Sequence, residues 1–189
     1  MPGDQKVTES LEMLRNEHLD FMAKMPSIVA LVQCDDHAAK RHLVEWLFGR
    51  IETAPRPEVL VSVLAFACVA PVLNPDEWRR VIEFAKNSYQ DAGAVRRDDP
   101  LLQLALNATA PQRSVLMNEL LTLLPDNSLQ SRRTAAIEAL TQLCVSSEDD
   151  EEFARFDTAV SEKLEGKELA SFRQALLDGR PKRRKAPKP

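Results

Sequence analysis

Apolar residues recur along this chain at helical intervals, and prolines, glycines and acidic caps punctuate them. From Pro57 to Leu73 (PEVLVSVLAFACVAPVL) the apolar pattern goes all the way round: after Glu58, Ser62 is its one polar residue. A helix apolar on every side belongs inside a core or in a membrane. A bilayer span needs roughly 18–20 such residues, and Pro71 cuts this run short. The segment therefore predicts a buried helix over 57–70 at the centre of a soluble domain, with no membrane contact.

Upstream, Val7, Leu11, Leu14, His18, Phe21 and Met25 recur at spacings of 4, 3, 4, 3 and 4, predicting one helix from about Gln5 to Met25. Met13, Leu19 and Met22 widen its stripe, so it docks on the rest of the chain or pairs with a second copy. Pro26 ends it, and Ser27 to Gln33 opens the next apolar segment. Asp35 or Asp36 caps a helix reaching about Glu52, with Leu43, Val44, Trp46, Leu47, Phe48 and Ile51 apolar. Pro55-Arg56-Pro57 is a stiff connector, because each proline fixes its own φ and biases the residue before it away from helix.

The clearest helix start follows. Asn74 caps, Pro75 suits the first position, and Asp76 and Glu77 complement the dipole. Trp78, Val81, Ile82, Ala85 and Tyr89 form its apolar face, and Gly93 ends it. Asp99-Pro100 repeats the device before Leu101 to Ala108, and Pro111 opens a segment to Leu124. Ser146 or Ser147 is the expected cap of a helix bearing Phe153, Phe156, Val160 and Leu164. Gly166 breaks that helix, and a last one with Leu169, Phe172 and Leu176 stops at Gly179.

Leu and Ala total 47 residues against 18 Val and Ile, with only five glycines, which favours helix over sheet. The expected fold is all-α: an irregular multi-helix bundle, or a short α-solenoid-like array, of about 8–9 helices around the 57–70 helix. Residues 1–25 form the amphipathic N-terminal helix and 26–179 the helical domain. Residues 180–189, with nothing to bury, form a disordered basic tail. Within 119–145, Leu123-Leu124-Pro125, a polar turn, then Arg132, Arg133, Ala135, Ala136, Ala139, Leu140 and Leu143 carry a resemblance. This stretch resembles a HEAT or armadillo-type helical repeat, which implies a hairpin of the kind that stacks into solenoids.

Charge changes the picture at one end. The net charge is −4, but the last ten residues hold six of the 25 bases and none of the 29 acids, leaving the rest at −10. Arg180, Lys182, Arg183, Arg184, Lys185 and Lys188 suit either a nuclear-import signal, if the cell is eukaryotic, or salt-sensitive phosphate binding to nucleic acid. Aromatics interleaved with basics, as base stacking would need, are missing. The pairs Arg79-Arg80, Arg96-Arg97 and Arg132-Arg133 have acidic neighbours and read as solvated ion-pair faces. The three cysteines are far apart, without disulfide or zinc-ribbon spacing, which suits a reducing compartment, and the polar N-terminus lacks a secretory pattern. The expected location is the cytoplasm, or the nucleus of a eukaryote. Cys68 and Cys144 are expected to pack as small hydrophobes.

Candidate chemistry is thin. Cys34 and His37 are three apart and could share a metal ion or a reactive thiol, but His42 lies about 140° further round from His37. No remote Cys/His cluster completes a zinc set. The acids Asp98-Asp99 and Glu148 to Glu152 sit where helices begin, as the dipole favours. P-loop, GxGxxG, GxSxG and HExxH patterns are absent. The reading is a non-enzymatic helical interaction module without catalytic, cofactor or metal residues, binding another protein or a second copy through Met13, Leu19, Met22 and Met25. Methionine's flexible thioether suits such a surface. The alternatives are a nucleic-acid-associated protein acting through its tail, and a metal or thiol enzyme centred on Cys34 and His37.

Overall fold

The computed structural model describes residues 2–89, 99–125, 130–147 and 149–179. These residues form ten α-helices and no strand: α1 (Pro2–Arg15), α2 (Met25–Gln33), α3 (His37–Ile51), α4 (Arg56–Cys68), α5 (Pro75–Asn87), α6 (Pro100–Asn107), α7 (Ala110–Leu121), α8 (Gln130–Val145), α9 (Asp150–Ser161) and α10 (Gly166–Gly179). The protein is an all-α multi-helix bundle. None of the described helices is long and apolar enough to cross a membrane. The chain divides into two compact units, one of Met1–Ser88 with Asn107–Gln112, the other of Tyr89–Leu106 with Arg113–Pro189.

In the first unit α1 packs on α2 and α3, α2 on α3 and α4, α3 on α4, and α4 on α5. Leu31, Leu43, Val44, Leu47, Val63, Phe66, Val81 and Ile82 are fully buried, and Phe48 meets Phe66 at 4.5 Å between ring centroids. The apolar helix predicted over 57–70 is α4, closed by a short 3-10 turn at Ala70–Val72. Its burial is one-sided. Ser62, Val63, Ala65, Phe66 and Ala67 are inside, Val59, Leu60, Val61 and Leu64 are half-buried, and Cys68 is exposed. Cys68 is therefore no core residue, whereas Cys144 is fully buried.

Local chemistry sets the helix ends. Asn74 Oδ1 accepts from the N–H groups of Asp76 and Glu77, and Glu77 accepts from Asn74 N in return, a complete capping box. Asp36 caps α3 by accepting from Ala38 N and Ala39 N. Asp99 caps α6 through Leu101 N and Leu102 N. The cap of α9 is Asp149 rather than Ser146 or Ser147, whose hydroxyls instead bond back to Gln142 and Leu143 carbonyls in α8. A carboxylate facing a helix N-terminus is favoured over a hydroxyl by the dipole.

The helix expected over 5–25 stops at Arg15. Asn16 Oδ1 takes the His18 N–H at 3.0 Å and Asp20 Oδ1 takes Ala23 N at 2.7 Å, so two short polar side chains capture the donors that a continued helix would use. His18 is exposed in this turn and belongs to no seam. Gln112 ties residues 107–112 into the first unit: its Nε2 donates to Ala70 O, its Oε1 accepts from Thr109 N, and its carbonyl accepts from Trp78 Nε1.

In the second unit α8 packs on α9 and α10. Ala135, Ala136 and Ala139 are fully buried with Leu140 and Leu143, a small-residue face that lets neighbouring helices approach closely. Gly166 opens α10 after the turn that follows α9, with φ at +53°, a left-handed conformation that only glycine adopts without penalty.

One device recurs in both units. An arginine on one helix clasps a glutamate in the first turn of the helix two further along: Arg41 of α3 holds Glu77 of α5, Arg113 of α7 holds Glu152 of α9, and Arg133 of α8 holds Glu168 of α10. The partners are 36, 39 and 35 residues apart. Each glutamate sits where the dipole already favours a negative charge, and the guanidinium can then fasten the helix end to its neighbour.

Candidate functional site

The N-terminal methionines owe their exposure to what turns inward beside them. After α1, Phe21 is buried and stacks on Trp46 at 6.1 Å, and Lys24 is buried with its ammonium 5.2 Å from the Trp46 centroid. Lys24 Nζ donates to Leu14 O at 2.9 Å, closing the carbonyl end of α1. Burial, and then the charge of Arg50, push the Lys24 pKa below its ordinary value. With Phe21 and Lys24 directed inward on a 3-10 turn (Met22–Lys24), Met22 between them is left 68% exposed. Met13 is 40% exposed on α1, and Val29 on α2 is 46% exposed, seven residues or two helical turns beyond Met22. Leu19 and Met25 are half-buried. Among the described residues, three of the five exposed large hydrophobic side chains thus fall between positions 13 and 29.

The Cys34 and His37 pair serves two helix ends. Cys34 terminates α2 and its Sγ donates to Leu31 O at 3.1 Å, while His37 begins α3 in solvent behind the Asp36 cap. His42 is exposed, its Nδ1 2.8 Å from Ala38 O. No group of three or more His, Cys, Asp or Glu side chains converges as a metal site among the described residues.

The charged clusters separate into surface and interior roles. Arg79 pairs with Asp76, and Arg80 pairs with Glu52 while lying over the Phe48 ring, all at the surface. Arg133, which the sequence presents as part of a solvated ion-pair face, is instead a largely buried partner in a cross-helix clasp, and Glu152, in the first turn of α9 as the sequence predicts, is largely buried in another. The Arg41 bond holds the Glu77 carboxyl below its ordinary pKa. Asp98, Glu148, Arg96, Arg97 and the whole tail from Arg180, with Lys182, Arg183, Arg184, Lys185 and Lys188, lie outside the described residues.

A feature that the sequence did not signal lies in the second unit. Helices α8 and α10 enclose a groove of about 490 Å³, with Ile137, Phe172 and Ala175 on its apolar wall and Glu138, Thr141 and Ser171 among its polar lining. The Arg133–Glu168 clasp joins the two helices near their starts, and Val145 meets Gly179 at their ends, so they run parallel. A Cβ on Gly179 would sit 2.8 Å from a Val145 methyl, which is why glycine stands at this close approach. Thr141 satisfies its own hydroxyl on Ile137 O. Tyr89 donates to Asp99, and burial and that carboxylate raise the phenol pKa well above its ordinary value. Glu138 is raised as well, first by partial loss of water and then by the charge of Asp99. On α8 the groove positions 134, 137, 138, 141 and 142 are mostly polar, so periodicity marks them as a solvent face.

No protein-family model, no curated protein and no solved structure matches the chain.

Proposed function

We propose that this protein is a non-enzymatic helical interaction module that takes the apolar surface of another protein, or of a second copy, on its N-terminal methionine face. The observation carrying this reading is the exposure of Met13 and Met22, at 40% and 68%, while Phe21 and Lys24 are buried against the Trp46 ring. A monomeric surface seldom spends large apolar side chains in one short stretch without use, and unbranched methionine adapts to varied partners. Met25 and Leu19 are half-buried and contribute their remaining exposed surface to this reading.

The resemblance to a HEAT or armadillo-type repeat belongs to this reading. Packing of α1 on α3, α2 on α4 and α8 on α10 supports a layered array, as do the Arg–Glu clasps spaced 35 to 39 residues apart. Layered helices present long, rigid faces, which is what a docking protein needs.

The test is the double variant Met13→Lys, Met22→Lys. Both side chains are exposed, so the fold should survive with an unchanged circular dichroism spectrum and melting temperature. We expect the variant to lose self-association by sedimentation velocity, or, if the wild type is monomeric, to lose at least tenfold in affinity for the protein that copurifies with it. Unchanged association in both assays would remove the methionine face from the account.

A second reading has one specific observation behind it, the six positive charges in the sequence of 180–189 against a net charge of −10 over residues 1–179. Fluorescence anisotropy of labelled DNA and RNA, at low and near-physiological salt, separates tail-dependent nucleic-acid binding from simple charge attraction.

A further inference from the structure

The groove between α8 and α10 has the size of a small-ligand site and charges set at different levels along it. Its volume of about 490 Å³ falls within the roughly 300–1,000 Å³ of pockets that hold small molecules. Each helix contributes a stripe of the same spacing, Ile137, Glu138 and Thr141 from α8, and Ser171, Phe172 and Ala175 from α10. The Arg133–Glu168 clasp and the Val145–Gly179 contact fix the register of the two parallel helices. At 1.5 Å per residue, Glu138 lies about 7.5 Å beyond the clasp and Phe172 about 6 Å beyond it, nearly level. Lys167 lies on the other side of the clasp, about 9 Å from Glu138 along the groove. Among the described residues Glu138 has no ion-pair partner. A carboxylate therefore stands alone beside the apolar wall, with the groove's unpaired cation at the far end.

We propose that this groove binds an organic ammonium ion with an apolar body, the ammonium against the Glu138 carboxylate and the body on Ile137, Phe172 and Ala175. Charge selects the class. Asp99 adds its own negative charge near Glu138 and, after partial loss of water, is what raises the Glu138 pKa. A cation in the groove relieves that repulsion, whereas a carboxylic acid of the same shape would bring a third negative charge to it. A neutral ligand would strip water from Glu138 and return no partner. A bare metal ion would find too few ligands. No group of three or more His, Cys, Asp or Glu converges among the described residues, and the Asp99 carboxylate already accepts from the Tyr89 hydroxyl and from Leu101 N and Leu102 N. Thr141 keeps its hydroxyl on Ile137 O and makes no demand on the ligand. The inference is independent of the methionine face, which lies in the other unit.

The experiment uses the full chain and three probes of one shape: 2-phenylethylamine, 2-phenylethanol and phenylacetate, each titrated at neutral pH and low salt. Amide chemical shifts in ¹⁵N-labelled protein report where and how tightly each binds. We expect saturable shifts with the amine, confined to residues 134–142 and 168–175, and none with the acid. The alcohol should bind about fivefold more weakly than the amine, the difference one partly exposed ion pair makes. Glu138→Gln changes an exposed side chain, so the fold should survive. It should weaken the amine by about the same factor and leave the alcohol unchanged, which a merely structural role for Glu138 would not do. Ser171→Trp, filling the groove from another exposed position, should abolish the amine's shifts. Amine shifts that fail to saturate, spread away from α8 and α10, or persist undiminished in Glu138→Gln would overturn the proposal. Phenylacetate binding as tightly as the amine would overturn it too.

Discussion

Lys24→Met isolates the contact that fastens α1. The wild-type side chain is 2% exposed, and its ammonium donates to Leu14 O at 2.9 Å beside the Trp46 ring. Methionine keeps the aliphatic stem and removes the donor and the charge. The Leu14 residue is itself 3% exposed and close to the end of α1, where carbonyls lack a following turn to bond them. Leaving such a carbonyl unpaired costs about 1–3 kcal/mol, and loss of the cation over Trp46 about 0.5–2 kcal/mol more. Against this stands relief from burying a charge, which lowers the Lys24 pKa in the fold. We expect the bonds to win, with a net loss of about 1–3 kcal/mol.

Urea titration with tryptophan fluorescence measures that loss, and hydrogen exchange of residues 5–15 locates it in α1. The pH dependence gives an internal check. A lysine whose folded pKa lies below its ordinary 10.5 carries its penalty in full below the folded value, and is relieved of it as pH rises to 10.5. Neutral lysine still donates to Leu14. The advantage of wild type over Lys24→Met should therefore grow with alkaline pH in that window. A variant as stable as wild type at neutral pH, with unchanged exchange in α1, would show that burying the ammonium outweighs its bonds.

Two further outcomes follow from local geometry. Gly166→Ala should destabilise by about 1–2 kcal/mol, because φ is +53° and nothing lies within 4 Å of the new Cβ, so the cost is purely conformational. Gly166→Asn should recover much of that loss in thermal melts, and equal melting of all three proteins would contradict it. Glu77→Gln keeps an acceptor for Asn74 N but removes the charge that Arg41 holds. Since the folded Glu77 pKa is lowered, its contribution is complete above the ordinary 4.5 and is lost as pH falls through the folded value. The stability gap between wild type and variant, followed by denaturant titration from pH 7 to 3, should shrink on acidification; a constant gap would refute the role of the charge.

The features legible in the residues alone are local ones. The Asn74-Pro75-Asp76-Glu77 start of α5 was readable because cap, proline and first-turn carboxylates act within four residues, and Asp36 and Asp99 marked their helices for the same reason. Helical class followed from periodicity and from Leu and Ala content. The end of α1 was misread because the apolar stripe continues to Met25 in sequence, while Asn16 and Asp20 divert the backbone donors through side-chain bonds that periodicity does not register. The polarity pattern also read Arg133 as part of a solvated face, and it put Glu152 at a helix start without naming a partner for it. Only tertiary packing showed that each meets its opposite charge across two helices and is largely removed from water. Cys68 illustrates the converse: an apolar run cannot say which side of its helix the rest of the chain will cover. The α8–α10 groove depended wholly on the third dimension, because it arises where two helices are joined at Arg133–Glu168, residues 35 positions apart, and pinched at Val145–Gly179. Short-range hydrogen bonding and dipoles are written in neighbouring residues. Burial and the pairing of distant charges exist only once the helices have been brought together.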